Sequence, residues 1–280
     1  MLPQRAAYRL ARWVSSHLAR QKDLPFVQSL RANMAVVQGL PTDHPQVDQA
    51  VAELLYNMAC GYIDLFRMVA ADPGHASACQ FDESLNDTVQ ACIASGRVLV
   101  LVGIHTCSFD LLLLELARLF PSVQVLSKTD PKGSSPVMNE IRARYGLNIT
   151  PISVGALRQA VEGLRRGGVL AIAADIPLEA GEELIFFGRK SCLGVGHARL
   201  ALGAKAMMMV GASCKVGEGT YRVEVAPVPR PLSTGNRKQD VIQWAQAALT
   251  TVERFIGNRP EEWLMPHPVW SGSAAEHGAV

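Results

Sequence analysis

The sequence predicts an α/β fold: a mainly parallel central sheet flanked by helices, preceded by N-terminal amphipathic helices. Three observations carry the prediction. From about residue 97, apolar runs of strand length alternate with segments of helical period, the succession that builds a parallel sheet covered on both faces. Before that point the periodicity is helical throughout. The composition is also apolar: 49% hydrophobic and 19% charged residues, against roughly 25% charged in ordinary soluble domains. At 280 residues the chain can bury a substantial core in one large domain or two smaller ones.

Residues 4–22 form the first helix. Ala7, Leu10, Val14 and Leu18 fall on one face, Arg5, Arg9, Arg12, Ser16 and Arg20 on the other, with Trp13 near the boundary. This pattern suits a helix lying in an anionic membrane interface, and equally a surface helix docked on its own domain. Phe26 to Val37 reads as a second helix. Pro41-Thr-Asp-His-Pro45 breaks the chain, and Gln46 to Ala70 reads as a long third helix ended by Asp72-Pro73-Gly74. Another helix is expected from Leu85 to Ser95, closed by Gly96. Strands are then expected over 97–103, 123–127, 148–151, 169–174, 206–212 and 221–225. Helices are expected over 109–120, 136–145, 156–166, 194–204 and 238–257. The tail from Gly272 is small and polar and is expected to be disordered.

Composition narrows the function. A mean hydropathy of +0.13 is high, yet no run reaches the roughly 18 apolar residues of a membrane span. The excess apolar surface points to membrane-surface contact, a lipid-sized pocket or a broadly buried sheet. A net charge of +2, with no basic run interleaved with aromatics, gives no case for nucleic acid. The six cysteines are scattered without metal-ligand spacing, so no metal or cofactor is expected, and they resemble the reduced cysteines of an intracellular protein. Residues 1–22 lack the apolar core and cleavage site of a signal peptide, which predicts a cytoplasmic chain.

Two clusters carry chemistry. The first is Gly103-Ile-His-Thr-Cys-Ser-Phe-Asp110, between an apolar strand and a helix. His105 leaving the strand and Asp110 in the first helical turn can converge on one side of the turn. The carboxylate would then fix the imidazole tautomer, making a general base for a hydroxyl. The second cluster runs from Asp175 to Gly188. In α/β sheets ligands gather at the carboxyl ends of strands, so Asp175 and the first cluster can share a cleft. Phe186 and Phe187 read either as the wall of an apolar tunnel or as two core aromatics ending an edge strand. Arg142 and Arg144 lie on one predicted helix and Arg199 at the start of another. Each suits a phosphate or carboxylate, or a solvated face. His197 reads as a surface residue. Cys107 reads as a nucleophile or as a small buried packing residue, with no second histidine placed to activate it. No G-x-S-x-G, Walker or H-E-x-x-H motif occurs.

Taken together these clusters resemble the bacterial lipid A biosynthesis acyltransferases (the lauroyl and myristoyl transferases) and the related phosphatidylinositol mannoside acyltransferases. The resemblance rests on His105 and Asp110, separated by four residues after a strand, and on Asp175 leading to Phe186-Phe187-Gly188. It continues through Gly196-His-Ala-Arg-Leu-Ala201, Pro260-Glu-Glu-Trp-Leu264, His267 and Trp270, with Ser29-Leu-Arg-Ala-Asn33 as an entry segment. Three stretches depart from the family's usual form: Thr-Cys-Ser-Phe inside the first cluster, the acidic segment after Asp175, and His267-Pro-Val-Trp270.

The resemblance implies a glycerolipid acyltransferase-like fold and acyl transfer from an acyl carrier protein or coenzyme A thioester to a hydroxyl of a membrane (glyco)lipid. His105 would be the base and Asp110 its orienting partner. Arg142, Arg144, Asp175, Glu183 and Arg199 would contact polar parts of the substrates, and Phe186 and Phe187 would measure the acyl chain. Residues 1–75 would be a membrane-associating helical segment, 76–271 the α/β core and 272–280 the tail. The chain would sit peripherally on the cytoplasmic face of the cell membrane. A lipid esterase or thioesterase using the same dyad, or a lipid-binding protein without turnover, remain the competing expectations.

Overall fold

The structure, a computed structural model, describes residues 2–71, 79–81, 98–127 and 135–270. The helix expected over 85–95 and the tail from 272 lie outside the described residues. Helices α1 (Gln4–Ala19), α2 (Pro25–Gln38) and α3 (Pro45–Ala71) come first, then strand β1 (Cys79–Phe81). The alternating part follows: β2 (Leu99–Gly103), α4 (Phe109–Leu119), β3 (Val123–Ser127), α5 (Ser135–Arg144), β4 (Leu147–Pro151), α6 (Val154–Arg165) and β5 (Val169–Ala173). A hairpin of β6 (Pro177–Phe186) and β7 (Arg189–Leu193) precedes α7 (Gly196–Ala204), β8 (Met207–Gly217), β9 (Thr220–Pro227) and α8 (Arg237–Asn258). A short 3-10 turn at Pro260–Glu262 leads to the last described residues.

The main sheet has the order β1-β9-β8-β2-β5-β3-β4. All its neighbours are parallel except β8 and β9, which form an antiparallel hairpin. The fold is therefore the α/β architecture with a mostly parallel, helix-flanked sheet that the alternation predicts. The central strands explain themselves. Leu99-Val-Leu-Val102 and Val169-Leu-Ala171 are buried along their length, as parallel strands covered on both faces must be. One apolar cluster lies on each side, the first built around α6, α7 and α8, the second around α4.

Two elements carry no clear signal in the sequence. The acidic run Pro177 to Glu183 lacks the alternation of a strand, yet pairs with β7 through a bulge between Pro177 and Glu182. β1 is only three residues long.

The N-terminal helices pack across the end of the sheet near β8 and β9. α1 runs along α3 and docks through Tyr8, Ala11 and Ser15. The lock is polar. The buried Asp64 carboxylate accepts a hydrogen bond from the Tyr8 hydroxyl at 2.6 Å and one from the Tyr221 hydroxyl at 2.6 Å. Burial, then the neighbouring Asp64, hold both phenols protonated by pushing their pKa values up. Gly219 N–H in turn donates to the Tyr8 oxygen at 2.9 Å.

Replacing Asp64 with alanine leaves the Tyr8 and Tyr221 hydroxyls without their acceptor. The expected cost is about 2–4 kcal/mol, a fall of roughly 3–7 °C in the melting temperature for a chain of this size, read by thermal denaturation. Asp64→Asn, which keeps an acceptor oxygen, should lose less.

Candidate active site

The parallel register of β2 and β5 sets the site. Gly103 is paired with Ala173, so His105 and Asp175, each two residues further on, arrive side by side at the carboxyl end of the sheet. The Asp175 carboxylate is completely buried and accepts three hydrogen bonds. They come from the His105 backbone N–H at 2.9 Å, His105 Nδ1 at 2.7 Å and the Trp263 indole N–H at 2.9 Å. A carboxylate can only accept, so Nδ1 must carry the proton in the neutral ring, and Nε2 is left as the basic nitrogen.

The electrostatics agree with this assignment. Burial alone would lower the imidazole pKa, but the charge and hydrogen bond of Asp175 outweigh it and leave His105 above its ordinary value. Asp175, despite its burial, is held below the ordinary carboxylate value by the charge and hydrogen bonds of His105 and by Trp263.

The expected partnership of His105 with Asp110 is therefore corrected. Asp110 sits in the first turn of α4 and turns toward α5, where it accepts from the Arg142 guanidinium at 2.7 Å. The physical reason is the sheet: the ring of His105 lies beside the neighbouring strand's end, which already presents a carboxylate at the matching position. Asp110 and Arg142 still line the same cavity as His105, and their charges act on it in opposite directions.

Behind the dyad the turn 105–108 is clamped from the C-terminal side. Cys107 N–H donates to Glu262 O at 2.8 Å, Leu264 N–H donates to His105 O at 2.7 Å, and Thr106 bridges Trp263 in antiparallel fashion. The hydroxyls of Thr106 and Ser108 meet that of Ser213 at 3.0 and 2.9 Å. α3 presses on the turn at Gly61, where even a methyl group would meet Cys107 O at 2.3 Å. Asn33 of α2 fastens the next stretch, donating to Met265 O and His267 O and accepting from Val269 N–H. Glu262 itself is buried, and burial pushes its carboxyl up to about 7, against the opposing pull of the Lys215 N–H that it accepts.

His105 opens into a cavity of about 480 Å³, within the roughly 300–1,000 Å³ of small-molecule sites. Its walls are mostly apolar: Leu101, Ala171 and Val125 from the sheet, Leu112 and Leu113 from α4, and Met138 from α5. Tyr62, Met58 and Phe26 close it from the N-terminal helices.

The remaining candidates separate. Arg142 belongs to the cavity. Arg144 faces solvent and pairs with Glu140, and Glu183 faces solvent on the hairpin, paired with Lys190 at 2.8 Å. Arg199 lies on the exposed face of α7 beside Arg237, Lys238 and Glu182, in a separate cavity. Phe186 and Phe187 are not among the residues lining the His105 cavity. Phe186 is fully buried, packed edge-on against Trp263 and stacked on Trp270, so it supports the indole that bonds Asp175 rather than a substrate chain. Phe187 holds a left-handed backbone (φ 49°) at the hairpin tip, its N–H donating to Glu253.

His197, expected at the surface, is buried. Neither ring nitrogen has a partner, and burial drops its pKa to about 4, so it is neutral. Cys107 is buried against α2 and α3, and its thiol donates weakly to Leu54 O at 3.5 Å. Burial pushes that thiol well above its ordinary pKa, which fits packing rather than nucleophilic attack. Trp263 is the functional residue that sequence reasoning missed. Its segment stood out as a motif, but no spacing tells where an indole N–H will point.

Replacing Asp175 with asparagine should lower kcat/KM by roughly 10³–10⁴, the scale seen when a base loses its tautomer-fixing carboxylate. For His105 acting as the base, the acid limb of the native pH–rate profile should lie above 6.5, because a base works unprotonated and this imidazole's pKa is raised. The limb should move to lower pH in the variant. The pair's contribution to stability has the matching sign. The His105 part is complete below 6.5 and fades as pH rises through the raised value, while the Asp175 part is complete above 3.8 and fades as pH falls through the lowered one.

Comparison with protein families adds the chemistry's class. The family model described as bacterial lipid A biosynthesis acyltransferase matches residues 1–271. No curated protein matches the chain. With the match running over nearly its whole length, the chain belongs to the bacterial lipid A biosynthesis acyltransferase family, and it is an acyltransferase.

Proposed function

We propose that the protein moves a fatty acyl group from a thioester, carried on acyl carrier protein or coenzyme A, to a hydroxyl of a membrane (glyco)lipid, with His105 as general base. The observation that carries this reading is the fully buried Asp175 gripping His105 Nδ1 at the mouth of an apolar cavity. Nε2 takes the proton of the acceptor hydroxyl as its oxygen attacks the thioester carbonyl. The tetrahedral intermediate collapses by breaking the C–S bond. The imidazolium returns its proton to the departing thiolate, so the ring ends as it began. Asp175 stabilises the imidazolium between these two steps without itself taking the proton. Arg142, at the cavity and already oriented by Asp110 and Asn139, is placed for a phosphate of the acceptor or of the donor's pantetheine arm.

The N-terminal segment, residues 1–75, would bring this site to the lipid. Among the described residues no helix is long and apolar enough to cross a membrane. α1 nevertheless leaves Leu10, Trp13 and Val14 exposed, at 49%, 68% and 45%, on the side away from its docking face. Arg5, Arg9 and Arg20 stand exposed alongside. An apolar stripe edged with arginines and carrying a tryptophan fits the interface of an anionic membrane, on the cytoplasmic face of the cell membrane.

His105→Ala should abolish transfer of labelled acyl groups to lipid while leaving the melting temperature within a few degrees of the native protein. Residual transfer by a purified, folded variant would rule out the base. A hydrolase would instead release free acid at the same rate with and without lipid acceptor.

Trp13→Glu combined with Leu10→Glu should reduce co-sedimentation with anionic phospholipid vesicles at least tenfold, with little effect on a soluble acyl thioester assay. Unchanged vesicle binding would place the membrane contact elsewhere.

A further inference from the structure

Parallel register stacks the cavity-side residues of the central strands in rows, and the side chains shrink where the cavity lies. Below His105 the first row is Gly103 with Ala173, and the second is Leu101 with Ala171 and Val125. All five line the cavity. The third row is Leu99 with Val169 and Val123, and none of these lines it; all three are packed shut. α4 repeats the sequence as it runs alongside. Phe109, Leu112 and Leu113 line the cavity, while Leu116, one turn further, is buried against the same cluster as the third row.

The trough exists because side chains are missing from it. A Cβ built on Gly103 would meet nothing within 4 Å. The Ala171 methyl sits between Leu101 and Val125 in the second row, leaving a gap where a branched residue would fill the sheet surface.

From these rows we infer that acyl-chain length is set by a stop across the strands, with Ala171 keeping the second row open and Val169, beside Leu99 and Val123, forming the floor. The inference rests on the acyltransferase reading above and adds which residues choose the chain. One row spans two residues of parallel strand, about 6.6 Å. A zigzag chain of C–C bonds near 1.5 Å advances about 1.25 Å per methylene, so one row corresponds to about five carbons. Ala171→Leu fills part of the second row and shortens the preferred chain by about two to four carbons. Val169→Ala lowers the floor and lengthens it by about two. Arg142, the dyad and the clamp behind it are untouched by either change.

The test offers purified full-length protein an equimolar mixture of saturated acyl thioesters, octanoyl to stearoyl, with detergent-solubilised bacterial membrane lipid as acceptor. Product chain lengths are read by mass spectrometry. Native mass spectrometry of fatty acids retained by each variant gives a second readout that needs no turnover. Opposite shifts for Ala171→Leu and Val169→Ala in either readout support the stop. Folded variants with the native chain preference in both readouts overturn it. Should Ala171→Leu fail to fold, Ala171→Val with Val169→Ala decides by the same criterion. Failure of the native protein to acylate any lipid, while bound chain lengths still shift, would overturn the transferase reading and leave the stop standing.

Discussion

A carboxylate with no solvent contact must be fully hydrogen-bonded or it will not stay ionised. Asp175 meets that demand with three donors from two residues far apart in the chain: the His105 backbone, the His105 ring and the Trp263 indole. Each donor then becomes a constraint. The strands β2 and β5 must keep register, the ring must present Nδ1 to the carboxylate, and the segment after α8 must return across the turn that follows β2. That segment is in turn fastened by Asn33 from α2 and pressed by α3 at Gly61. The chain's two ends thus converge on one buried charge. The same geometry that satisfies Asp175 leaves Nε2 on the cavity side, so the stability of the ion pair and the readiness of the proposed base are one arrangement.

The apolar composition is accounted for in three places. Much of it is the sheet, whose central strands are buried on both faces. A second share lines the cavity beside His105, where glycine and alanine leave volume that leucine and valine fill further along the same strands. The third is the exposed stripe of α1. The last two fit the largely hydrocarbon substrate proposed above, so the unusual bulk property need not come from an unusually large core alone.

The fold was largely legible because its signals are local. Runs such as Val98 to Val102 and Leu111 to Ala117 declare strand and helix by length and period, and their alternation declares the sheet. The hairpin was hidden because Pro177 to Glu183 pairs through a bulge and faces solvent over much of its length, so neither alternation nor hydrophobicity marks it. Within the site, His105 and the two clusters at strand ends could be found, but not the pairing between them. Sequence proximity favoured Asp110, five residues on along the chain. Register, a tertiary property, favoured Asp175, seventy positions away yet its neighbour across the sheet. Phe186 misled for a related reason: its motif is visible, but whether an aromatic pair walls a tunnel or braces a tryptophan depends on how a hairpin packs. His197 shows the limit from the other side, since burial of a polar ring without partners runs against every sequence-level expectation.

The structure shows the first helix docked on its own domain, and the way it docks leaves free the side that the membrane-facing reading requires. α1 is held to the body by Tyr8, Ala11 and Ser15, with the tyrosine and Tyr221 sharing the Asp64 carboxylate. A helix usually spends its large aliphatic residues on such a contact. Here the contact uses Tyr8 and its hydrogen bonds, Ala11, Ser15 and the partly buried Leu18, which leaves Leu10, Val14 and Trp13 exposed away from it. The consequence is a division of labour between two forces. Polar bonds in a buried, low-dielectric seam are directional and fix the helix in one orientation. The hydrophobic stripe is non-directional and needs only a hydrocarbon surface to meet. Were Leu10, Trp13 and Val14 turned inward instead, the helix would present only arginines outward, an attraction for anionic lipid that salt screens within about 10 Å. Docking through Tyr8, Ala11 and Ser15 is what allows Leu10, Trp13 and Val14 to face outward.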